Sequence, residues 1–259
     1  MKKLTVIALG LLLLIPSLAF SDSITLRLGY FFPKALSDSY LINHQDSLWA
    51  IEFDNMSFLP KDYRGGTVGI GYDYFLSKNI SLALSVDAYN KSNVGFYRDW
   101  VVNTVDQVDF AFPSELYFGG DIVHSFRVTI TPVELSLKLL PLGRRARIIP
   151  YVGGGASMVF YGARMFGDTV NFADPWIYTD PDLGDVDIYP VEPVASRDNG
   201  TAFGWHAFGG IQFPIGYRAT IEAEARYRSA KGRFNGLFQG FDDFELGGLA
   251  LTAGISYWF

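Results

Sequence analysis

The chain has 259 residues, a net charge of −6 and no cysteine, which excludes a disulfide-stabilised fold and a lipid anchor attached through cysteine. Its acidic balance argues against nucleic acid as a partner, because binding phosphates requires a basic surface. Aromatic residues at 16% and 27 glycines are both high for a soluble globular protein, whereas charged residues at 19% are few.

The first predicted element is a signal peptide over residues 1–21. An apolar run from Leu4 to Ile15 follows two lysines, and Ala19 and Ser21 place small side chains where a signal peptidase cuts. We expect cleavage before Asp22, with an uncleaved membrane-anchoring helix as the alternative. The removed segment carries two of the 21 basic residues and no acid, so the net charge of the remaining domain, residues 22–259, is −8.

Beyond this segment no apolar run approaches the roughly 20 residues that a membrane-spanning helix needs. A hydrophobic exported chain can instead satisfy its backbone groups in lipid as a closed β-barrel, whose strands alternate between lipid-facing and inward-facing side chains. Such alternation predicts an all-β fold, an eight-stranded antiparallel transmembrane barrel. The predicted strands are Ile24–Tyr30, Thr67–Phe75, Ile80–Tyr89, Val133–Leu139, Tyr151–Phe160, Ala202–Phe213, Thr220–Arg228 and Gly248–Phe259.

Two features of these strands admit alternatives. Upstream of Pro132 the apolar parity changes to Val128 and Ile130, which predicts a β-bulge. Apolar residues also alternate over 49–53 and 108–112, within two long connections. We interpret both segments as strands that project beyond the membrane as hairpins, and a ten-stranded barrel is the alternative.

The connections between strands alternate strictly between long and short. This alternation is typical of outer-membrane barrels, which have long extracellular loops and short periplasmic turns, and it predicts both termini in the periplasm. The long connections are 33–65, 90–125, 162–200 and 229–243, and the short ones are 76–79, 141–147 and 214–218.

Charged residues share the inward parity of several strands. A basic side chain facing lipid at the membrane midplane costs about 2–4 kcal/mol, so these residues are expected to face the lumen. An eight-stranded barrel is just wide enough for side chains to fill, and unpaired charges there are unfavourable, so we expect them to pair. A narrow or gated conduction path is the alternative. The predicted lumen charge network is Arg27, Asp73, Asp87, Glu134, Lys138, Glu222, Glu224, Arg226 and Arg228.

The three histidines, His44, His124 and His206, have no metal-ligand spacing and no serine at a recognisable catalytic spacing. We therefore predict no catalytic residues, no metal and no cofactor, and a lipid-modifying enzyme is the least supported alternative. The third long loop is rich in acids, which suggests a cation site without a motif, while a solvated acidic loop is the simpler interpretation. Its candidate ligands are Asp180, Asp182, Asp185 and Asp187.

Three segments resemble motifs of small bacterial outer-membrane barrels: 131–138, 150–155 and 222–227. The superfamily is that of outer membrane proteins A and W. The closing aromatic residues Tyr257 and Phe259 resemble the C-terminal signal read by the barrel-assembly machinery. The resemblance implies an outer-membrane location, contact with lipid and lipopolysaccharide, biogenesis through that machinery and periplasmic chaperones, and a possible extracellular ligand at the loops. It implies a structural or interaction role, with a small channel for ions or apolar solutes as the alternative.

Overall fold

The computed structural model describes residues 22–236 and 238–259, so the predicted signal peptide lies outside it. None of the helices within these ranges has the length and apolar content needed to cross a membrane. Two short α-helices, α1 (Asp38–Asn43) and α2 (Leu48–Asn55), and two 3-10 helices, Lys34–Leu36 and Pro60–Tyr63, lie between the first two strands. The strands are β1 (Ser23–Pro33), β2 (Gly65–Phe75), β3 (Ile80–Val105), β4 (Val108–Pro113), β5 (Gly120–Leu139), β6 (Ile149–Val170), β7 (Trp176–Asp180), β8 (Gly184–Pro214), β9 (Ala219–Gly232), β10 (Phe244–Glu245) and β11 (Gly248–Trp258).

Eight of these strands close into a ring in the order β1-β2-β3-β5-β6-β8-β9-β11. Every neighbouring pair is antiparallel. The ring closes where β1 pairs with β11, from Ser23 opposite Trp258 to Pro33 opposite Gly248. The eight-stranded antiparallel barrel is therefore confirmed, and the ten-stranded alternative is wrong.

The outer surface of the ring carries a continuous apolar belt. On β5 the belt runs from Val133 to Leu139, and on β8 it runs from Phe203 to Phe213. Residues of the predicted outward parity are exposed and their neighbours are buried, as on β9, where Thr220 to Arg228 alternates throughout. An apolar surface of this extent is not tolerated in water, but it matches the lipid-facing band of a membrane barrel.

Several strands continue beyond the belt at one end of the barrel, here called the loop end. Strand β3 turns back into β4 through Asp106 and Gln107, both at positive φ, a geometry that suits a tight two-residue hairpin. Strand β7 forms a second hairpin with β8. The prediction that 108–112 belongs to a projecting hairpin is confirmed. The opposite end, here called the turn end, has only the short connections 76–79, 140–148 and 215–218.

The segment 49–53 is helical, so its interpretation as a strand was wrong. The hydroxyl of Ser47 caps α2 by accepting a hydrogen bond from the backbone N–H of Ala50 at 3.2 Å. Trp49 and Phe53, four residues apart on one helical face, are both buried. Their spacing fits a helix as well as a strand, and the apolar interior at the loop end decides between the two.

The predicted bulge near Pro132 is also wrong. The register of β5 with β6 is unbroken from His124 opposite Gly167 to Leu139 opposite Val152. Val128 and Ile130 are buried and share the inward parity of the charged residues further along β5. The side chains that face the lumen change from polar to apolar toward the loop end. In the sequence this change looks the same as a strand that switches its apolar side from one face to the other.

We predict that Leu137→Arg impairs barrel assembly far more than Leu183→Arg. The two leucines are about equally accessible, at 48% and 52%. Leu137 lies in the belt, where an arginine is expected to destabilise by about 2–4 kcal/mol, whereas Leu183 lies in the β7–β8 turn. Refolding yield into lipid vesicles, followed by the gel shift between folded and boiled protein, measures the effect. Equal yields for both variants would contradict the assignment of the belt.

Candidate functional site

Glu134 is the centre of a buried layer of charge across the lumen. It accepts hydrogen bonds from Arg226 and from Nε of Arg228, the latter at 2.6 Å. Glu134 lies on β5 and both arginines lie on β9, three strands away around the ring. All three side chains are almost fully buried. Alternation on β9 places both arginines inward, and the narrow lumen brings them to a carboxylate on a non-neighbouring strand.

The same layer contains the other predicted residues. Asp87 pairs with Arg228 and, at 3.3 Å, with Arg27. Glu224 accepts from Arg226 at 2.8 Å and from Arg27 at 3.5 Å, and Lys138 lies 2.9 Å from Asp73. Glu222 has no ion pair within the described residues and instead accepts from Gln212 at 2.9 Å and Ser256 at 3.4 Å. The structure thus brings all nine predicted residues into the lumen. Six of them form one ion-pair network, Arg27, Asp87, Glu134, Glu224, Arg226 and Arg228, while Lys138 and Asp73 form a separate pair and Glu222 bonds to uncharged partners.

His206 lies in the lumen and bonds to two serines that the sequence did not identify as its partners. Its Nε2 lies 2.7 Å from Oγ of Ser136, and its Nδ1 lies 2.8 Å from Oγ of Ser157 and 3.8 Å from Glu134. The three residues come from β5, β6 and β8, so only the strand register joins them. All are nearly inaccessible to solvent, so the cluster satisfies buried polar groups and has no open face for a substrate.

The free space within the charge layer is very small. A cavity of about 10 Å³ lies among residues that include Arg27, Lys138 and Glu222. This is room for about one water molecule. The layer is therefore a packed interior of opposite charges rather than an aqueous passage.

Aromatic side chains close the lumen on both sides of the charge layer, toward the turn end and toward the loop end. Toward the turn end, Phe75 stacks on Trp258 at 5.2 Å, the ammonium of Lys138 lies 4.1 Å from the ring of Tyr151, and the guanidinium of Arg226 lies 4.6 Å from the ring of Phe208. Such contacts satisfy a cation without requiring a further carboxylate.

Toward the loop end, the helix α2 enters the barrel and forms an apolar plug. Trp49 is fully buried, stacks on Phe244 at 5.1 Å and meets Tyr63 and Phe126 edge to face at 5.5 and 5.7 Å. Its indole N–H donates to the carbonyl of Glu245 at 3.3 Å. The plug, defined here as α2 with Phe58 and Tyr63, covers the charge layer from the loop end. Burial raises the pKa of Tyr63, whose hydroxyl donates to the carbonyl of Phe126.

One polar contact ties the plug to the barrel wall. Glu52 of α2 lies 2.8 Å from Nε2 of His124 on β5, and both side chains are nearly fully buried. Nδ1 of His124 lies 3.3 Å from the carbonyl of Asp168. A carboxylate and an imidazole that pair in this way fix the rotation of α2 inside the barrel.

The four acidic residues of the third loop do not converge. Asp180 caps its own turn, accepting from the backbone N–H groups of Asp182 and Leu183 at 2.9 and 3.0 Å, and these bonds lower its pKa. Asp185 accepts from Thr179 at 2.8 Å, and Asp187 lies opposite Ile177. In the ranges that the structure describes, no group of three or more such side chains is arranged to hold a metal ion.

The two aromatic residues of the proposed assembly signal lie at the turn end. Tyr257 and Phe259 are both exposed, and their rings lie 6.4 Å apart. The backbone N–H of Phe259 donates to the carbonyl of Asp22 at 3.0 Å, so the described chain begins and ends side by side.

The sequence matches no protein-family model and no curated protein. Solved structures with a similar fold include the outer membrane protein OprG from Pseudomonas aeruginosa, at 12% identity over 92% of this chain and 96% of that chain, with a TM-score of 0.47. Neisserial surface protein A has 12% identity, coverage of 92% and 97%, and a TM-score of 0.44. The Escherichia coli outer membrane protein W has 12% identity, coverage of 93% and 100%, and a TM-score of 0.37. The identities and TM-scores of all three are low, and no role of these proteins carries over to this chain.

We predict that Glu134→Gln destabilises the folded barrel by about 3–5 kcal/mol, because it leaves two buried arginines without their shared carboxylate. Glu115→Gln, the same substitution at an exposed position outside the lumen, is the control and is expected to change stability by less than about 0.5 kcal/mol. Urea unfolding in lipid vesicles measures both values. Matching midpoints for the two variants would show that the charge layer does not stabilise the barrel.

Proposed function

We propose that the protein is an integral outer-membrane barrel with a closed lumen, and that it acts as a structural or interaction protein through the surface of its loop end. The observation that carries this proposal is the double closure of the lumen by the charge layer and the plug. A transport path would have to displace both. Each closure consists of buried, mutually dependent contacts, which favour a single packed state.

The loop end supports an interaction role because it presents side chains well beyond the apolar belt. The β3–β4 and β7–β8 hairpins pair with one another through Phe110 opposite Pro190, so they form one extended platform. Exposed apolar side chains on or beside this platform include Phe118, Trp176 and Ile177. Large exposed apolar residues on projecting loops are typical of binding surfaces. An extracellular ligand is therefore part of the proposal.

The proposal also includes the route to the membrane. Residues 1–21 would direct export and be cleaved, and periplasmic chaperones with the barrel-assembly machinery would then fold the chain, reading Tyr257 and Phe259. The apolar belt supports insertion into lipid, with lipopolysaccharide as a neighbour on the loop side. Catalysis is not part of the proposal, because the Ser136–His206–Ser157 cluster is buried without room for a substrate.

Electrical conductance separates a closed barrel from a channel. We expect the folded protein, reconstituted into planar bilayers, to show no discrete conductance steps, because the cavity within the charge layer has room for about one water molecule. A known porin reconstituted under the same conditions controls for insertion and for detection.

Reproducible steps of one amplitude would contradict the closed lumen and favour the channel alternative. In that case, the Glu134→Gln variant, which removes the ion pairs of Glu134, should change the amplitude of the conductance steps, since ions would then pass this residue. Lipid profiles of cells that overproduce the protein test the enzymatic alternative independently, and we expect them to be unchanged.

A further inference from the structure

Three arginines form a continuous row on the outer wall of the barrel. The strand register places Arg127 of β5 directly opposite Arg164 of β6, and Arg164 directly opposite Arg197 of β8. All three side chains are exposed, and all three occupy the outward parity of their strands. The next outward neighbour, on β3, is the uncharged Ser92.

Like charges directly opposite each other destabilise a sheet, since cross-strand Cβ atoms are only about 4.5–5.5 Å apart. Within the described chain none of the three arginines forms an ion pair with a carboxylate. Among the described residues, their charged groups meet only the ring of Phe166, which lies 5.8 Å from the guanidinium of Arg164. The repulsion along the row is therefore uncompensated by the protein, and an external anion would relieve it.

The row lies beyond the apolar belt on the loop side. On β6 the continuous belt ends at Phe160 and Arg164 follows four residues later, about 13 Å along the strand, with one further outward aromatic residue, Phe166, beyond it. Arg127 and Arg197 each lie six residues beyond the end of the belt on β5 and β8, about 20 Å along the strand. The polar headgroup region begins directly outside the hydrocarbon core. The arginines thus lie on the headgroup side of the belt, between the hydrocarbon core and the distal hairpins.

A groove of about 340 Å³ adjoins the row on its membrane side and lies on the same three strands. Gly162 lies between two of its lining residues, opposite Thr129 on β5 and Asn199 on β8. A Cβ at this position would lie 2.6 Å from Oδ1 of Asn199 and 3.1 Å from Oγ1 of Thr129. The groove combines hydroxyl and amide groups with an aromatic ring, and its lining residues are Thr129, Thr131, Phe160, Tyr161, Asn199, Gly200 and Thr201.

We propose that the arginine row and this groove form a site for the phosphorylated sugar headgroup of a lipid in the surrounding outer leaflet. Planar guanidinium groups bind phosphate oxygens in a bidentate manner, which suits a row of three. The threonine hydroxyls and the Asn199 amide can bond to sugar hydroxyls, and Phe160 offers an apolar face. This site deepens the proposed function and rests on it, because it requires the barrel to stand in a membrane.

Binding of diphosphorylated lipid A to purified protein in zwitterionic detergent tests the site. The test variant combines Arg127→Gln, Arg164→Gln and Arg197→Gln. The control combines Lys78→Gln, Arg145→Gln and Arg147→Gln, which removes the same charge from exposed positions at the turn end. We expect at least tenfold weaker binding for the test variant and less than a twofold change for the control, with bound lipid counted by native mass spectrometry.

Two further measurements sharpen the test. Lipid A without phosphates should bind the unaltered protein as weakly as diphosphorylated lipid A binds the test variant. Asn199→Leu, which removes the amide from the groove and keeps every arginine, should also weaken binding of the diphosphorylated lipid, but should leave binding of inorganic phosphate unchanged.

Equal losses in the two charge-matched variants would overturn the proposal in favour of general electrostatic attraction. Undiminished binding by the test variant would overturn it outright, and preference for inorganic phosphate over the lipid would overturn the choice of a lipid. The gel shift of the folded barrel and its conductance are measured on the same samples. A barrel that folds and stays silent but does not bind lipid A would refute this site while leaving the proposed function intact.

Discussion

The pairing of buried charges across the lumen is the constraint on which the rest of the structure depends. Asp87 of β3 and Arg228 of β9 lie four strands apart in a ring of eight, so their contact spans the barrel. Neither group can remain charged in a packed interior without a partner of opposite charge. Because Arg228 also bonds to Glu134, and Arg27 bonds to Asp87, the pairs act as one network rather than as separate contacts. Strand register, barrel closure and charge pairing are thus mutually dependent.

The apolar plug extends the same logic toward the loop end. Where the inward side chains change from charged to apolar, as at Val128 and Ile130 on β5, a polar or hydrated lumen would be unfavourable, and the helix α2 fills the space. The Glu52–His124 contact then fixes this helix against the wall. The surfaces that a barrel filled in this manner exposes are its outer wall and its projecting hairpins. Interaction with lipid and with external partners is therefore better supported than passage through the lumen.

Sequence periodicity predicted the features that depend on the alternation of one strand: the eight strands, their faces and the inward position of the charged residues. It failed where contacts with a segment remote in sequence decide the structure. Val128 and Ile130 face inward, but because they are apolar and the plug that covers them is remote in sequence, they suggested that the strand had changed face. Trp49 and Phe53 fit either period, and only the apolar interior selects the helix. The contacts of His206 and the row of arginines arise from register between strands, which no single segment encodes.

A double-mutant cycle on Asp87 and Arg228 tests the central claim most directly. Asp87→Asn, Arg228→Gln and the double variant are unfolded with urea in lipid vesicles, and the coupling free energy is taken from the three changes in stability. For residues in direct contact within one ion-pair network we expect a coupling of about 0.5–3 kcal/mol, with the double variant less destabilised than the two single changes added together. Effects that add to within about 0.3–0.5 kcal/mol would show that the two side chains do not interact across the lumen, and would contradict a barrel closed by its own charges.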